Sequence, residues 1–317
     1  MDHPLADLLR RYRAAAKRTT TYGEAWLAKH VGGGTVLPSW HQLGTSTGRM
    51  SCSGPNLQQI PRGAAYRACV RARPGHVLIK ADYSQIELRA AAVIANDEVM
   101  IEAFKTGQDL HALTASALLG KPVENVEKHD RQLAKAINFG LLFGMGWKTL
   151  RTYARSNYGV EMTDEQAMAY RDTFLDTYPG ISKWHRRVEL RLRNVDRGKH
   201  HFDTLTRGGR RRVVAAMKRS KTNEAYPNKH EALNAPVQGT AADGMKAAIS
   251  LLWERRSECP NVRPVLFVHD EIVVEAPEDR SGQAAEWLKR CMTDSMAPLI
   301  APVPVGVEAT VSTTWAG

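Results

Sequence analysis

Two acidic signatures lie far apart in the chain, Asp82-Tyr83-Ser84-Gln85-Ile86-Glu87-Leu88-Arg89 and Val268-His269-Asp270-Glu271, and between them runs the set Arg131, Lys135, Phe139 and Phe143. Each acidic segment ends an apolar, β-branched run, residues 76–81 in one case and 264–268 in the other. Neighbouring strands built from such runs bring Asp82 and Asp270 to one sheet edge. Paired carboxylates suit divalent cations, and two metals about 3.5–4 Å apart stabilise both the attacking and the leaving oxygen of an in-line phosphoryl transfer. Mg²⁺ in particular binds through few carboxylates plus substrate phosphates. The intervening set recurs every fourth residue, a spacing that drifts slowly about a helix axis and forms one stripe. Its order, cation, cation, aromatic, aromatic, offers a triphosphate countercharge at one end and a base or sugar a flat surface at the other.

Singly, each signal fits an ordinary structural role. Asp-Tyr-Ser fits a strand-end turn and His-Asp-Glu a solvated hairpin tip. An Arg/Lys pair four residues apart fits a wet helix face, and phenylalanine at helical spacing fits a core. The joint occurrence, with the cationic helix bracketed by both carboxylate strands, is accounted for by phosphoryl transfer on a nucleotide and by little else.

The elements that must position these groups follow from the breaks. Leu5, Leu8, Leu9 and Tyr12 stand at helical spacing, and Gly32-Gly33-Gly34 and Pro38 stop that lead-in. From Thr45 to about Ala95 the pattern predicts short strands and then a helix beginning after Asp82, with Glu87, Leu88 and Ala91 continuing inward. Helical patterns dominate residues 96–231, with Asp130 as the start of the stripe helix and Thr163-Asp164-Glu165-Gln166 as the start of another. Residues 236–317 predict a helix, a hairpin turning at His269-Asp270, a helix around Gln283 to Ser295 and a final strand from Val303 to Val311. No internal repeat or low-complexity tract is visible.

Composition sets the bounds. The chain has 317 residues, enough for two or three sub-domains, and 43% hydrophobic content excludes a disordered tail. Lys plus Arg total 44 against 33 Asp plus Glu, a net charge of +11 that points to a polyanion partner. Arg210, Arg211 and Arg212, between glycines and Lys218-Arg219-Ser220-Lys221, read as a mobile loop that contacts DNA phosphates, against the alternative of solvated surface. Cys52, Cys69, Cys259 and Cys291 have no metal-site or disulfide-framework spacing, and His200 and His201 read as exposed residues of a connecting stretch. No apolar run approaches the roughly 18 residues of a membrane span, so no membrane partner is expected and a reducing cytoplasm is the expected compartment.

The blocks Asp82–Arg89, Arg131–Gly146 and His269-Asp270-Glu271 resemble motifs A, B and C of the family A DNA polymerases, the bacterial DNA polymerase I type. Thr45–Arg62 and Asn234–Asp243 resemble the segments before motifs A and C, so the likeness runs from about Thr45 to the end. The resemblance implies an α+β fold: a palm of antiparallel sheet and helices, with a helical fingers sub-domain. Residues 1–44 would be a remnant of the thumb base, 45–95 and 232–317 the two parts of the palm, and 96–231 the fingers. It implies template-directed addition of deoxynucleotides to a primer 3′-hydroxyl in a bacterial or phage-infected cell, with primer-template DNA and deoxynucleoside triphosphates as partners. Two Mg²⁺ ions, with Mn²⁺ as the substitute, are the implied cofactors.

The same resemblance assigns roles. Asp82, Asp270 and the Tyr83 carbonyl would hold metal, with Glu271 close by, and Lys135 would donate a proton to the leaving pyrophosphate. Arg131, Lys135 and His111 would face the triphosphate, Phe139 the sugar and base, and Gln85, Glu87 and Phe143 complete the nucleotide pocket. Glu87 would wall off the 2′ position and so select deoxyribonucleotides. Arg49, Asn234, Gln238 and His269 would touch the primer-template minor groove. Phe143 and Phe139 stand where the family has or can have tyrosine, and His230 where arginine is commoner; looser sugar selection, poor dideoxynucleotide use and weaker primer contact are the expectations. Forty-four residues precede Thr45, so most of the thumb and any exonuclease domain are expected to be missing, synthesis to be distributive and without proofreading, and a separate thumb or processivity factor to be a partner. Alternatively, the chain is a fragment or a naturally minimal enzyme. A single-subunit RNA polymerase relative would carry tyrosine at Phe139 and lack Glu87; a non-catalytic nucleic-acid-binding relic would tolerate loss of the carboxylates that this chain keeps.

Overall fold

Val77, Leu78 and Ile79 favour extended backbone and are apolar on both faces, as a strand covered on both sides requires. The computed structural model describes residues 4–193, 201–215, 217–218, 225–226 and 228–317. In chain order the first half comprises α1 (Pro4–Tyr22), α2 (Glu24–His30), β1 (Ser39–His41), β2 (Ser51–Ser53), α3 (Ala64–Arg67), β3 (His76–Tyr83), α4 (Ile86–Ala95), α5 (Glu98–Lys105), α6 (Leu110–Leu119) and α7 (Lys128–Leu142). There follow α8 (Trp147–Tyr158), α9 (Asp164–Thr177), α10 (Pro179–Arg193), β4 (His201–Leu205), β5 (Arg211–Ala215), β6 (Met217–Lys218) and β7 (Ala225–Tyr226). The chain closes with α11 (Lys229–Glu254), β8 (Arg263–Val268), β9 (Glu271–Pro277), α12 (Ser281–Ile300) and β10 (Val307–Ser312). Helices beside antiparallel sheets make this an α+β fold.

The central sheet has the order β10-β3-β9-β8, antiparallel throughout. Strand β3, from the first third of the chain, is thus inserted between β10 and β9 from its end. Side chains alternate across the sheet, so β3 feeds two cores. Val77, Ile79, Ala81 and Tyr83 join the large core shared with α4 and α12. Leu78 joins a smaller core with Cys52, Leu57, Ile60, Val273 and Trp315. Tyr83 pins the first of these: its hydroxyl donates to the Met292 carbonyl at 2.8 Å and lies 3.1 Å from Ser295 Oγ.

Several boundaries differ from the sequence expectation. The stripe helix starts at Glu127, its N-cap, and Asp130 is the reciprocal partner at the third helical position, accepting from the Glu127 N–H at 2.8 Å. The final strand begins at Val307, and His201 lies on β4. The lead-in is two helices, broken at Gly23. Thr163 does cap α9, with Gln166 completing the capping box. His200, Arg219, Ser220 and Lys221 lie outside the described residues.

Candidate active site

Strand register builds the acidic centre. Asp82 is paired with Glu271 of β9 on one side and with Glu308 of β10 on the other. Residues directly opposite in antiparallel strands share a face, so three carboxylates form a row across the sheet end. Asp270, in the turn between β8 and β9, closes on it: its carbonyl accepts the Tyr83 N–H at 3.3 Å. Asp82 keeps part of its surface exposed, yet desolvation of its carboxyl at the sheet end, then the charges of Asp270, Glu271 and Glu308, push it up to about 7, with Arg62 the opposing cation. The structure therefore brings Asp82 and Asp270 together. The sequence reading missed Glu308 and gave no role to Arg62, the last residue of the Thr45–Arg62 block; only the pairing of β10 with β3 reveals Glu308.

Two residues beside this row hold left-handed backbone without being glycine, Gln85 (φ 53°) before α4 and His269 (φ 60°) before Asp270. Such backbone is costly for an L-residue and persists where surrounding structure enforces it, as at functional turns. Burial first, and then Arg49, hold the His269 imidazole below its ordinary pKa.

On α7, Arg131, Lys135 and Phe139 are all half-buried, and the charges of Arg131 and Lys135 act on His111. Arg131 donates from Nε to Asp109 Oδ2 at 2.6 Å. Lys135 has no hydrogen bond or ion pair among the described residues and so keeps its ammonium available. Phe143 departs from the stripe. It is the C-cap of α7, outside the helix proper, and packs into the core at 7% exposure with its ring edge-on to His230, centroids 6.1 Å apart.

His111 is not a cation here. Its ring is buried, 6.0 Å from Phe139, and burial pushes its pKa down to about 4. Nδ1 accepts from Asn138 Nδ2 at 2.9 Å, leaving the hydrogen on Nε2. Asn138 Oδ1 in turn accepts from Thr114, which lies 2.7 Å from the Tyr178 hydroxyl. A chain of buried polar groups from α6, α7 and the end of α9 thus fixes the imidazole's orientation, and His111 can offer only a neutral N–H donor.

Glu87, in the first turn of α4, is ion-paired with Arg49 and bonded to Gln238 of α11; burial nonetheless raises its pKa. Arg49, Gln58, Met245, Phe267 and His269 line a cleft beside it. Two polar atoms here, Gln85 Oε1 and Asn234 Oδ1, are buried without a partner.

The arginine cluster lies on an antiparallel hairpin: residues 201–205 pair with 211–215, Arg210 stands in the turn between them and Arg211 and Arg212 on β5. Arg210 threads between Gly48 and Gly239, where a Cβ added at Gly48 would collide with its guanidinium and one added at Gly239 would meet it at 3.0 Å. It donates to Asp243 Oδ1 at 2.8 Å, to the Thr47 carbonyl at 2.8 Å and to the Gly239 carbonyl at 3.2 Å. Arg211 pairs with Asp203 and Arg212 with Glu231. Arg210 is a pin between segments, with Nε and Nη2 engaged internally.

The residues fit a divalent cation by their chemistry. Carboxylates are crowded at one sheet end, the pKa of one raised to about 7, and a cation would relieve that repulsion. Among the described residues no cluster of three or more ligands forms a ready cage. Mg²⁺ does not need one, because it keeps waters and borrows substrate oxygens.

Comparison with known proteins agrees with this arrangement. The chain is 38% identical over 291 residues to the DNA polymerase I of Aquifex aeolicus, covering 91% of this chain and 47% of that one. It is 37% identical to the thermostable DNA polymerase I of Thermus thermophilus, covering 99% and 36%. Among solved structures, the POL domain of Pol1 from M. smegmatis, in complex with DNA primer-template and dNTP, superposes with a TM-score of 0.84 at 30% identity, covering 99% of this chain and 54% of that one. The chain thus spans about half the length of these relatives, or less. The family model described as DNA polymerase family A matches residues 1–317. A sheet end that gathers Asp82 and Asp270 is therefore found, with a cation-bearing helix α7, in a chain that belongs to DNA polymerase family A.

Proposed function

We propose that this chain carries template-directed DNA polymerase activity, adding deoxynucleotides to a primer 3′-hydroxyl with release of pyrophosphate. The observation that carries the reading is the carboxylate row: Asp82 beside Asp270, Glu271 and Glu308 at the end of a sheet, with the Asp82 pKa pushed up to about 7 by burial and by repulsion from the other three. Asp82 and Asp270 would hold the Mg²⁺ ions, with the Tyr83 carbonyl assisting; the Tyr83 side chain points away into the large core. Bound there, two ions would supply charge stabilisation to the attacking and leaving oxygens. Mn²⁺ is the expected substitute.

The chain's own residues do the rest. Lys135, unpaired, faces the triphosphate and is positioned to donate a proton to pyrophosphate as it leaves. Arg131 shares its guanidinium between Asp109 and the phosphates, and His111 offers its Nε2–H. Phe139 supplies a ring for sugar and base. Glu87, backed by Arg49 and Gln238, occupies the place where a 2′-hydroxyl would lie, which favours deoxyribonucleotides over ribonucleotides and this reading over an RNA polymerase-like one. The buried, unpartnered Asn234 and Gln85 oxygens are suited to donors from bound nucleic acid or nucleotide.

In this reading residues 45–95 and 232–317 make the palm, residues 96–231 the fingers and residues 1–44 the base of the thumb, and the enzyme acts in the cytoplasm. Helix α11 runs across the fingers-palm limit, so the two would share it.

A labelled primer-template incubated with the purified chain, Mg²⁺ and either deoxy- or ribonucleotides tests the proposal. Extension with deoxynucleotides is expected. Asp270→Asn should slow it at least about a thousandfold, roughly 4 kcal/mol, while sparing DNA binding. Full extension by that variant would refute the assignment.

A further inference from the structure

Among the described residues, Glu271 is the member of the acidic row whose oxygens are already engaged. Oε1 accepts the indole Nε1–H of Trp315 at 2.7 Å, and Oε2 lies 3.6 Å from Arg67 Nη1. The Arg67 guanidinium also lies over the Trp315 ring, 4.1 Å from its centroid. Cation, ring and carboxylate therefore close on one another. Trp315 is 1% exposed, and a buried indole N–H requires an acceptor. Glu271 is the acceptor it has.

The backbone around Trp315 is tied to the other carboxylate strand. Its N–H donates to the Val70 carbonyl at 2.9 Å, and the Ala72 N–H donates to the Thr313 carbonyl at 3.0 Å. Residues 70–72 lead into β3 and so to Asp82, which stands in register with Glu271. On the other side, Glu271 directly follows the Asp270 turn, which is entered through the left-handed His269. One cluster thus fastens β3 to the end of β9 next to both aspartates. Moving Glu271 onto a cation would strip the indole of its acceptor and Arg67 of its carboxylate, when Arg67 Nε is already buried without a partner.

We propose that Trp315, backed by Arg67, is a positioning residue of this site: it fixes Glu271 as the anchor of the Asp270 turn, so that Glu271 acts as an anchor and not as a direct ligand of the metal ions. This inference rests on the polymerase reading of the site. It makes the last residues of the chain part of the active-site architecture.

The test uses the Trp315 indole N–H as its reporter. The chain is labelled with ¹⁵N-tryptophan and bound to a dideoxy-terminated primer-template with the matching deoxynucleotide, and Trp315→Phe assigns the resonance. On addition of Mg²⁺ the resonance should keep its position and its slow exchange with solvent. Glu271→Gln, whose amide oxygen still accepts, should preserve it, and Glu271→Ala should abolish it. In extension assays Glu271→Gln, which keeps an acceptor for the indole, should be less damaging than Glu271→Ala. Glu271→Ala and Trp315→Phe should raise the Mg²⁺ concentration for half-maximal rate by about tenfold or more, as loss of a ligand-orienting contact does, leaving KM for the deoxynucleotide at saturating Mg²⁺ unchanged. A resonance that loses its hydrogen bond when Mg²⁺ is added overturns the proposal, as does Glu271→Gln as damaging as Glu271→Ala. If the wild-type chain fails to extend primers, the polymerase reading falls, and the indole resonance still reports whether Glu271 is anchored.

Discussion

At the scale of single residues, the acidic row imposes a pH dependence whose sign is fixed by Asp82. Burial and the charges of Asp270, Glu271 and Glu308 raise its pKa to about 7, so between the ordinary carboxylate range and about 7 the folded protein binds a proton that the unfolded chain has released. Stability of the metal-free protein therefore falls as pH rises through that window and levels off above it. Asp82→Asn removes the charge, and is expected to raise the melting temperature at pH 8 in chelator more than at pH 5. Equal shifts at both pH values would show that the carboxylate is not destabilised by its neighbours. Mg²⁺ should stabilise the wild type more at pH 8 than at pH 5, since the ion competes with the proton. Glu87 gives a second, independent prediction. Its carboxylate is held by Arg49 and Gln238 against the cost of burial, so a 2′-hydroxyl entering its place meets a packed and charged wall. Overpacking costs about 1–3 kcal/mol, and Glu87→Ala should raise ribonucleotide incorporation by roughly tenfold to a hundredfold in single-nucleotide extension assays; unchanged sugar selectivity would reject the role.

At the scale of elements, the β4–β5 hairpin shows what a basic cluster becomes once its partners are known. Arg210 reaches between two glycines to join the segment after Thr45 to α11, and its bonds to Asp243, Thr47 and Gly239 commit Nε and Nη2 inside the protein. Arg210→Ala should cost about 1.5–3 kcal/mol of stability in urea unfolding, the range for hydrogen bonds to charged groups, with DNA affinity at fixed salt little changed. A loss of affinity without a loss of stability would restore the phosphate-contact role. The same contrast separates what is legible in the sequence from what is not. The capping box of Thr163 and Gln166, and the hairpin turn at His269-Asp270, are local and readable because every participant lies within a few residues. Asp243 lies far along the chain from Arg210, and nothing in either neighbourhood announces the pairing. Glu308 and Trp315 are unreadable for the same reason, since their significance depends on the register of β10 against β3 and on a contact with a residue in another strand. Phe143 shows the reverse failure: its spacing is helical, but the helix ends one residue earlier and the ring turns into the core.

At the scale of the whole molecule, the net charge of +11 overstates the cations available to DNA. Arg49, Arg131, Arg210, Arg211 and Arg212 are all paired with carboxylates of the same chain. A protein that neutralises about 6–10 phosphates loses roughly 10³–10⁵ in affinity between 50 and 200 mM salt, because each contact releases a counterion. With these guanidiniums committed internally, the 317-residue span should show a shallower salt slope than that, measured by fluorescence anisotropy with a labelled primer-template. Few phosphate contacts mean fast dissociation, because affinity differences of this kind are expressed largely in the off-rate. Synthesis by this span alone is therefore expected to be distributive: primer extension started together with excess unlabelled competitor DNA should give only short additions per encounter. Addition of a protein that encloses the duplex should lengthen them without changing the rate of a single incorporation, since grip and chemistry reside in different groups. Long products from single encounters in the presence of the trap would show that the remaining cations hold the duplex far better than their number suggests.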